Sequence, residues 1–317
     1  MPIIKSTYKA PLFFLNKHVQ TIFSSIFRDK ENEFSTRKRI DTPDNDFLDI
    51  DVIANGYDKC VVLSHGLEGN SQRAYITNMA KHLFGHGFDI CAWNFRGCSG
   101  EVNKQLRMYH SGSTEDLDTV VKHLIPQYKE IYLVGFSMGG NLTLKYLGER
   151  GSSLSSNVKG AITFSVPTDL LGSCYRLEKW YNKLYMKRFL GNLKTKLVLK
   201  KELYPNQISL EGYDEVKSFM EFDDRYTAPI HGFKSANDYY EKSSSKQFIS
   251  NITVPTLIVN AKDDPFLSKS CFPIDECKAS DKVFLEMPKK GGHVGFMIGG
   301  GVYWSERRTL EFIRSIT

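Results

Sequence analysis

The sequence predicts an α/β fold: a mostly parallel sheet covered by helices on both faces. Three observations carry that reading. From residue 60 onward, short apolar runs rich in β-branched residues alternate with stretches of helical periodicity, as strands buried on both faces require. The alternation stops between Pro167 and Ile252 and then resumes, which marks an insertion. The composition is that of a globular chain: 317 residues, 41% hydrophobic, 25% charged, with a formal net charge of +6. It excludes disorder, collagen and coiled coil. So mild a charge does not call for nucleic acid, whose partners concentrate basic residues on one face.

Cys60–Ser64 is the first clear strand and ends in His65-Gly66. Ala74–Phe84 places Ile76, Met79, Ala80 and Leu83 near helical spacing, with Gly85 and Gly87 as stops. Phe88–Trp93 is a second buried strand. Leu117–Ile125 is helical, with Ser113, Thr114, Glu115 and Asp116 supplying cap and first-turn acids. Ile131–Val134 is a third strand and Asn141–Arg150 a third helix. Val158–Phe164, Val254–Asn260 and Lys282–Met287 complete the strands. Between them, Leu177, Trp180, Tyr181 and Leu184 keep helical spacing without a clear strand. Residues 167–252 are therefore read as a helical lid inserted into a single domain, 1–317, before the penultimate strand.

Six cysteines at scattered positions form no C-x-x-C pair, which suits reduced thiols in a cytosol. Met1–Asn16 lacks the h-region of a signal peptide, and its longest apolar run, Leu12–Leu15, falls far short of the roughly 20 residues of a spanning helix. A soluble, cytoplasmic protein is expected.

Gly135-Phe136-Ser137-Met138-Gly139 matches G-x-S-x-G. Composition alone produces this pattern in roughly one chain in ten of this length. Its setting, after a strand and before a helix, is what makes it a nucleophile elbow. The turn is tight enough that Gly135 and Gly139 must be small, and Ser137 stands at a helix N-terminus that favours developing negative charge. A serine hydroxyl needs a base, itself oriented by an acid, and in this architecture the order is Ser, acid, His. His231 and His293 are the two histidines downstream. His231 falls in the insertion; His293 follows the last strand within Gly291-Gly292-His293-Val294-Gly295 and is taken as the base. The acid should follow Val254–Asn260, where Asp263-Asp264-Pro265-Phe266 stands. Asp264 is preferred, two residues before the apolar Phe266. Asp263, suited to stabilising the turn, and Asp169, after Val158–Phe164, are the alternatives. The oxyanion hole needs two backbone N–H donors. Met138 supplies one, and Leu67, in the loop Ser64–Gly69, the other. His65 is read as a brace for that loop, or as a core histidine.

The chain resembles the α/β-hydrolase superfamily and, within it, the YheT-like hydrolases of the AB hydrolase 4 family. It is similar too to the abhydrolase-domain proteins of that branch. The resemblance runs through Asn16–Thr21, His65–Gly69, Asn94–Gly100, Tyr109–Gly112, Glu115–Asp118, Gly135–Asn141, Thr227–Pro229, Asp238–Tyr240, Asp263–Phe266 and Gly291–Phe296, essentially the whole chain. It implies a central sheet of about eight strands and a hydrolase of carboxylic esters, esterase or lipase-like, whose Ser-Asp-His positions fall on Ser137, Asp264 and His293. The family often has a small residue where Glu68 stands. A carboxylate beside the oxyanion loop counts against anionic substrates.

Weaker signals remain. Arg176–Lys201 holds nine basic residues and one acid, Glu178, interleaved with aromatics. It is read either as a solvated helix packed on a core or as a basic amphipathic segment, 176–201, touching a membrane surface. His110 with Asp116 loosely resembles an acyltransferase box and is read as structural. Gly299-Gly300-Gly301 is read as conformational. No metal or nucleotide motif is present, so no metal and no cofactor is expected. The reading is a serine esterase or lipase-like enzyme acting on a small-molecule or lipid ester. An acyltransferase using the same triad, or a non-catalytic ligand-binding module, are its alternatives.

Overall fold

The strands of the computed structural model are β1 (Ile3–Ile4), β2 (Thr36–Asp41), β3 (Phe47–Ile53), β4 (Lys59–Ser64), β5 (Asp89–Trp93), β6 (Glu130–Phe136), β7 (Val158–Phe164), β8 (Thr256–Val259) and β9 (Val283–Glu286). They form one sheet in the order β1-β9-β8-β7-β6-β4-β5-β3-β2. The structure describes residues 2–26, 28, 34, 36–299 and 301–317; Met1 and Gly300 lie outside them. Every ladder is parallel except β2–β3 and β3–β5.

The period of two expected for a doubly covered sheet is explicit. Cys60 and Val62 of β4, with Ile131 and Leu133 of β6, face one apolar cluster. Val61, Leu63, Tyr132 and Val134 face the other. Helices α3 (Thr114–Leu124) and α4 (Met138–Arg150) cover the first face through Leu117, Val121, Leu142 and Leu144. Helices α2 (Ala74–Phe84) and α11 (Trp304–Ile316) cover the second through Ile76, Met79, Leu310 and Ile313. Each such side chain contributes about 1.5–3 kcal/mol by leaving water.

Register sets the functional edge. Ser64 is opposite Gly135, and Gly135 opposite Thr163, so β4, β6 and β7 end level and their following loops emerge side by side.

Between β7 and β8 lie five helices: α5 (Leu170–Leu177), α6 (Lys183–Leu203), α7 (Phe219–Phe222), α8 (Ala228–His231) and α9 (Ala236–Ser243). Among the described residues this stretch contains no strand. The helices share their own apolar cluster, including Leu193, Leu197, Phe222 and Tyr239, which takes in Met108 and Phe266 from outside the insertion. Helix α10 (Ile274–Lys278) precedes β9. No described helix is long and apolar enough to cross a membrane.

The sheet has nine strands where about eight are expected. One of them is the two-residue β1, which pairs Ile3 with Leu285. Strands β2 and β3 also escape the hydrophobic pattern. Edge strand β2 reads TRKRID, and β3 carries Asp49 and Asp51, which are buried. Arg39 and Arg37 hold these carboxylates in two-pronged hydrogen bonds of 2.8–2.9 Å.

Candidate active site

Ser137 sits between β6 and α4 with φ 53° and ψ −120°, a left-handed conformation costly for a residue with a side chain. The turn tolerates nothing larger than glycine beside it. A Cβ on Gly135 would lie 2.6 Å from the Gly139 carbonyl oxygen and 2.7 Å from Gly140 Cα. The Ser137 N–H donates to Phe164 O at 2.8 Å, and its carbonyl accepts from the Gly140 and Asn141 N–H groups, so the backbone is held from both sides.

His293 Nε2 lies 2.9 Å from Ser137 Oγ, and His293 Nδ1 lies 2.9 Å from Asp264 Oδ2. The Asp264 side chain is fully buried and its Oδ1 also accepts the Phe266 N–H at 2.9 Å. A carboxylate only accepts, so Nδ1 carries the proton and Nε2 offers its lone pair to the serine hydroxyl. The Phe266 ring covers the imidazole at 4.3 Å between centroids.

The neighbouring acids do other work. Asp263 Oδ1 accepts the Gly292 N–H at 3.1 Å, tying the acid loop to the histidine loop, and burial pushes its carboxyl up. Asp169 caps α5 by accepting the Gly172 N–H at 3.1 Å.

Three hydroxyls that sequence reasoning missed hold the loops around these residues. Thr21, on α1 (Lys17–Ile26), accepts the His293 N–H at 2.9 Å. Ser165 accepts the Val294 N–H at 2.9 Å. Tyr75 accepts the Gly66 N–H at 2.9 Å beside the serine. A signal for Thr21 was present in the Asn16–Thr21 motif. Backbone strain gathers here too: Glu68, Ser137, Ser165, Val294 and Phe296 all have positive φ.

The Leu67 loop runs against the serine, since a Cβ on Gly66 would lie 3.2 Å from Ser137 Cβ. Among the described residues, neither the Leu67 nor the Met138 N–H donates to an acceptor. His65 is fully buried; its Nδ1 lies 2.8 Å from Gly66 O, and its Nε2 accepts the Phe95 N–H at 3.1 Å. Burial pushes it down to about 3, so it is an uncharged brace. Glu68 accepts from the Tyr109 hydroxyl and pairs with Lys196. Its charge is thus compensated beside the loop, which weakens the argument against anionic substrates.

His110 and Asp116 are not brought together. His110 Nδ1 accepts the Gly112 N–H at 3.1 Å and its ring packs on His231, whereas Asp116 binds Arg96 at 2.7 Å.

A cavity of about 290 Å³ opens onto Ser137 and His293 and is lined from the insertion by Leu177, Phe189, Leu193 and Phe222. Among its polar lining residues is Asp223, which accepts from Tyr240 at 2.6 Å and from Thr227. Burial pushes Asp223 up to about 7. Among the described residues no group of three His, Cys, Asp or Glu side chains could hold a metal ion.

The model of the family described as alpha/beta hydrolase fold matches residues 59–299. The chain is 34% identical to "Putative esterase YheT" of Escherichia coli (strain K12) over 312 residues, covering 95% of this chain and 91% of that protein. It is 30% identical to Phospholipase ABHD3 of Bos taurus over 310 residues, covering 94% and 75%. Among solved structures, the esterase Pf2001 of Pyrococcus furiosus has the same fold, with a TM-score of 0.62 at 19% identity over 89% of this chain and 90% of that one.

Proposed function

The chain belongs to the alpha/beta hydrolase fold family, and from that premise we propose that it hydrolyses carboxylic esters through Ser137, His293 and Asp264. The observation that carries the proposal is the unbroken relay from Ser137 Oγ through both imidazole nitrogens to a buried carboxylate, at 2.9 Å each. Relatives named as an esterase and a phospholipase support the substrate class.

Ser137 Oγ attacks the ester carbonyl carbon while His293 Nε2 takes its proton. Asp264 stays ionised and stabilises the imidazolium. The Leu67 and Met138 N–H groups, which have no other acceptor among the described residues, donate to the oxyanion. Collapse breaks the bond to the alcohol, which leaves with the proton from His293. Water then attacks the acyl-enzyme, its proton passing to His293, and Ser137 is restored with release of the acid. The apolar wall contributed by Leu177, Phe189, Leu193 and Phe222 suits an acyl chain, and the inserted helices 167–252 act as its lid.

The test is a fluorophosphonate probe, with mass spectrometry to locate the adduct. Phosphonylation of Ser137, absent in Ser137→Ala, together with turnover of p-nitrophenyl esters, is the expected result. A folded protein that neither labels nor turns over esters overturns the proposal.

A further inference from the structure

Helix α1 is built inside out. Its buried residues are Gln20, Thr21 and Ser24, while Val19, Ile22 and Ile26 face outward, the reverse of an ordinary surface helix. The turn before it adds Leu12 and Phe13, and Phe13 is 91% exposed. Across the surface, the insertion presents Trp180 and Leu184, 79% and 84% exposed. The two apolar groups are neighbours. The His18 ring stacks on Tyr185 and meets Tyr181 edge-on, Lys17 Nζ lies 5.0 Å from the Tyr181 ring, and Tyr181 packs against Trp180. Single exposed apolar residues need no explanation, but a shared patch of this kind does.

We propose that this surface, residues 12–26 with 175–188, docks the protein onto an anionic phospholipid bilayer. Charge selects the partner: Arg176, Lys179, Lys183, Lys187 and Arg188 stand in the insertion's share of the patch against the single acid Glu178, and Lys17 adds to them from α1. Basic side chains around exposed tryptophan, phenylalanine and leucine match a headgroup layer above acyl chains. The orientation is productive, because Thr21, Ser24 and Ser25 of α1 and Tyr185 and Arg188 of α6 line the cavity that holds Ser137. A bilayer against this face meets the cavity mouth, and a lipid reaches it without crossing bulk water.

The docking surface is independent of the ester chemistry, so its test uses full-length protein carrying Ser137→Ala. Sedimentation with vesicles of phosphatidylcholine and phosphatidylglycerol is compared with vesicles of phosphatidylcholine alone. Binding to the anionic vesicles that weakens with salt is expected. Phe13→Ser with Trp180→Ser, and separately Lys179→Gln with Lys183→Gln and Lys187→Gln, each weaken it at least about tenfold. On the Ser137 background, both variants leave hydrolysis of a short, dissolved p-nitrophenyl ester unchanged, which shows that they fold. Equal binding by wild type and variants overturns the proposal. So does a dimer in light scattering that the apolar variant dissociates, since a second copy would then own the surface.

Discussion

Lys196 Nζ lies 3.1 Å from Glu68 Oε1, an ion pair largely withdrawn from water that ties helix α6 to the loop carrying Leu67. The same ammonium donates to Cys98 Sγ at 2.7 Å. Burial pulls the lysine down, but Cys98 and Glu68 outweigh it and hold the ammonium above its usual value. The inserted helices are thereby latched to one half of the proposed oxyanion hole.

Lys196→Met leaves Glu68 unpaired, and unfolding in urea should show a loss of about 3–5 kcal/mol. Adding Glu68→Gln should restore much of that stability. Because the Leu67 N–H loses its support, kcat should fall by about tenfold or more with little change in KM. Lys196→Arg should rescue it. A fall confined to KM would make the latch a substrate contact instead.

The two adjacent aspartates should separate cleanly. Asp264→Asn removes the carboxylate that orients His293, and kcat is expected to drop about 10⁴-fold. Asp263→Asn weakens the bond from the Gly292 N–H and removes the 3.8 Å ion pair with Lys290, costing about 1 kcal/mol and little activity. Comparable losses of kcat in both variants would contradict the division of labour.

Gly135→Ala places a methyl group against two backbone atoms of the elbow that cannot retreat. A loss of about 3 kcal/mol or more in unfolding free energy is expected, with weak or absent fluorophosphonate labelling of what still folds. Near wild-type stability would show that the turn opens more easily than its contacts imply.

Asp223 governs a pH effect. Burial raises it from an ordinary 3.8 to about 7, against hydrogen bonds from Thr227 and Tyr240. Across that interval the folded protein binds a proton that the unfolded chain has released. Its contribution is therefore full at the acid end and is lost as pH climbs toward about 7. Buried histidines such as His65 act in the opposite sense, so the informative quantity is wild type minus Asp223→Asn. That difference, from urea unfolding between roughly pH 4 and 8, should decline with rising pH; a flat difference would refute the effect.

Much of this site was legible because its signals are local. Gly135 and Gly139 bracket Ser137 within five residues, and His293 sits in a glycine-rich loop just past the last strand. Thr21 and Ser165 were not legible as partners of that loop. Each supplies one hydroxyl across 272 and 129 residues, and no periodicity reports such a bond. Strands β2 and β3 hid for another reason: Asp49 and Asp51 interrupt the apolar run, and only the arginines on the facing strand explain their burial. The outward apolar face of α1 was not legible either, because periodicity gives an angle but not which side meets the core.

The bond from His293 N–H to Thr21 Oγ1 has a consequence for biogenesis. The proposed base is braced by a helix made almost an entire chain earlier, and β1 joins the sheet by pairing with β9. Such distant contacts are closed late, after the intervening chain has been ordered. On a ribosome, Ser137 would emerge long before its base, and the nascent chain would carry an unarmed serine. Hydrolytic competence would arrive in one step, when the last strand and the first helix meet.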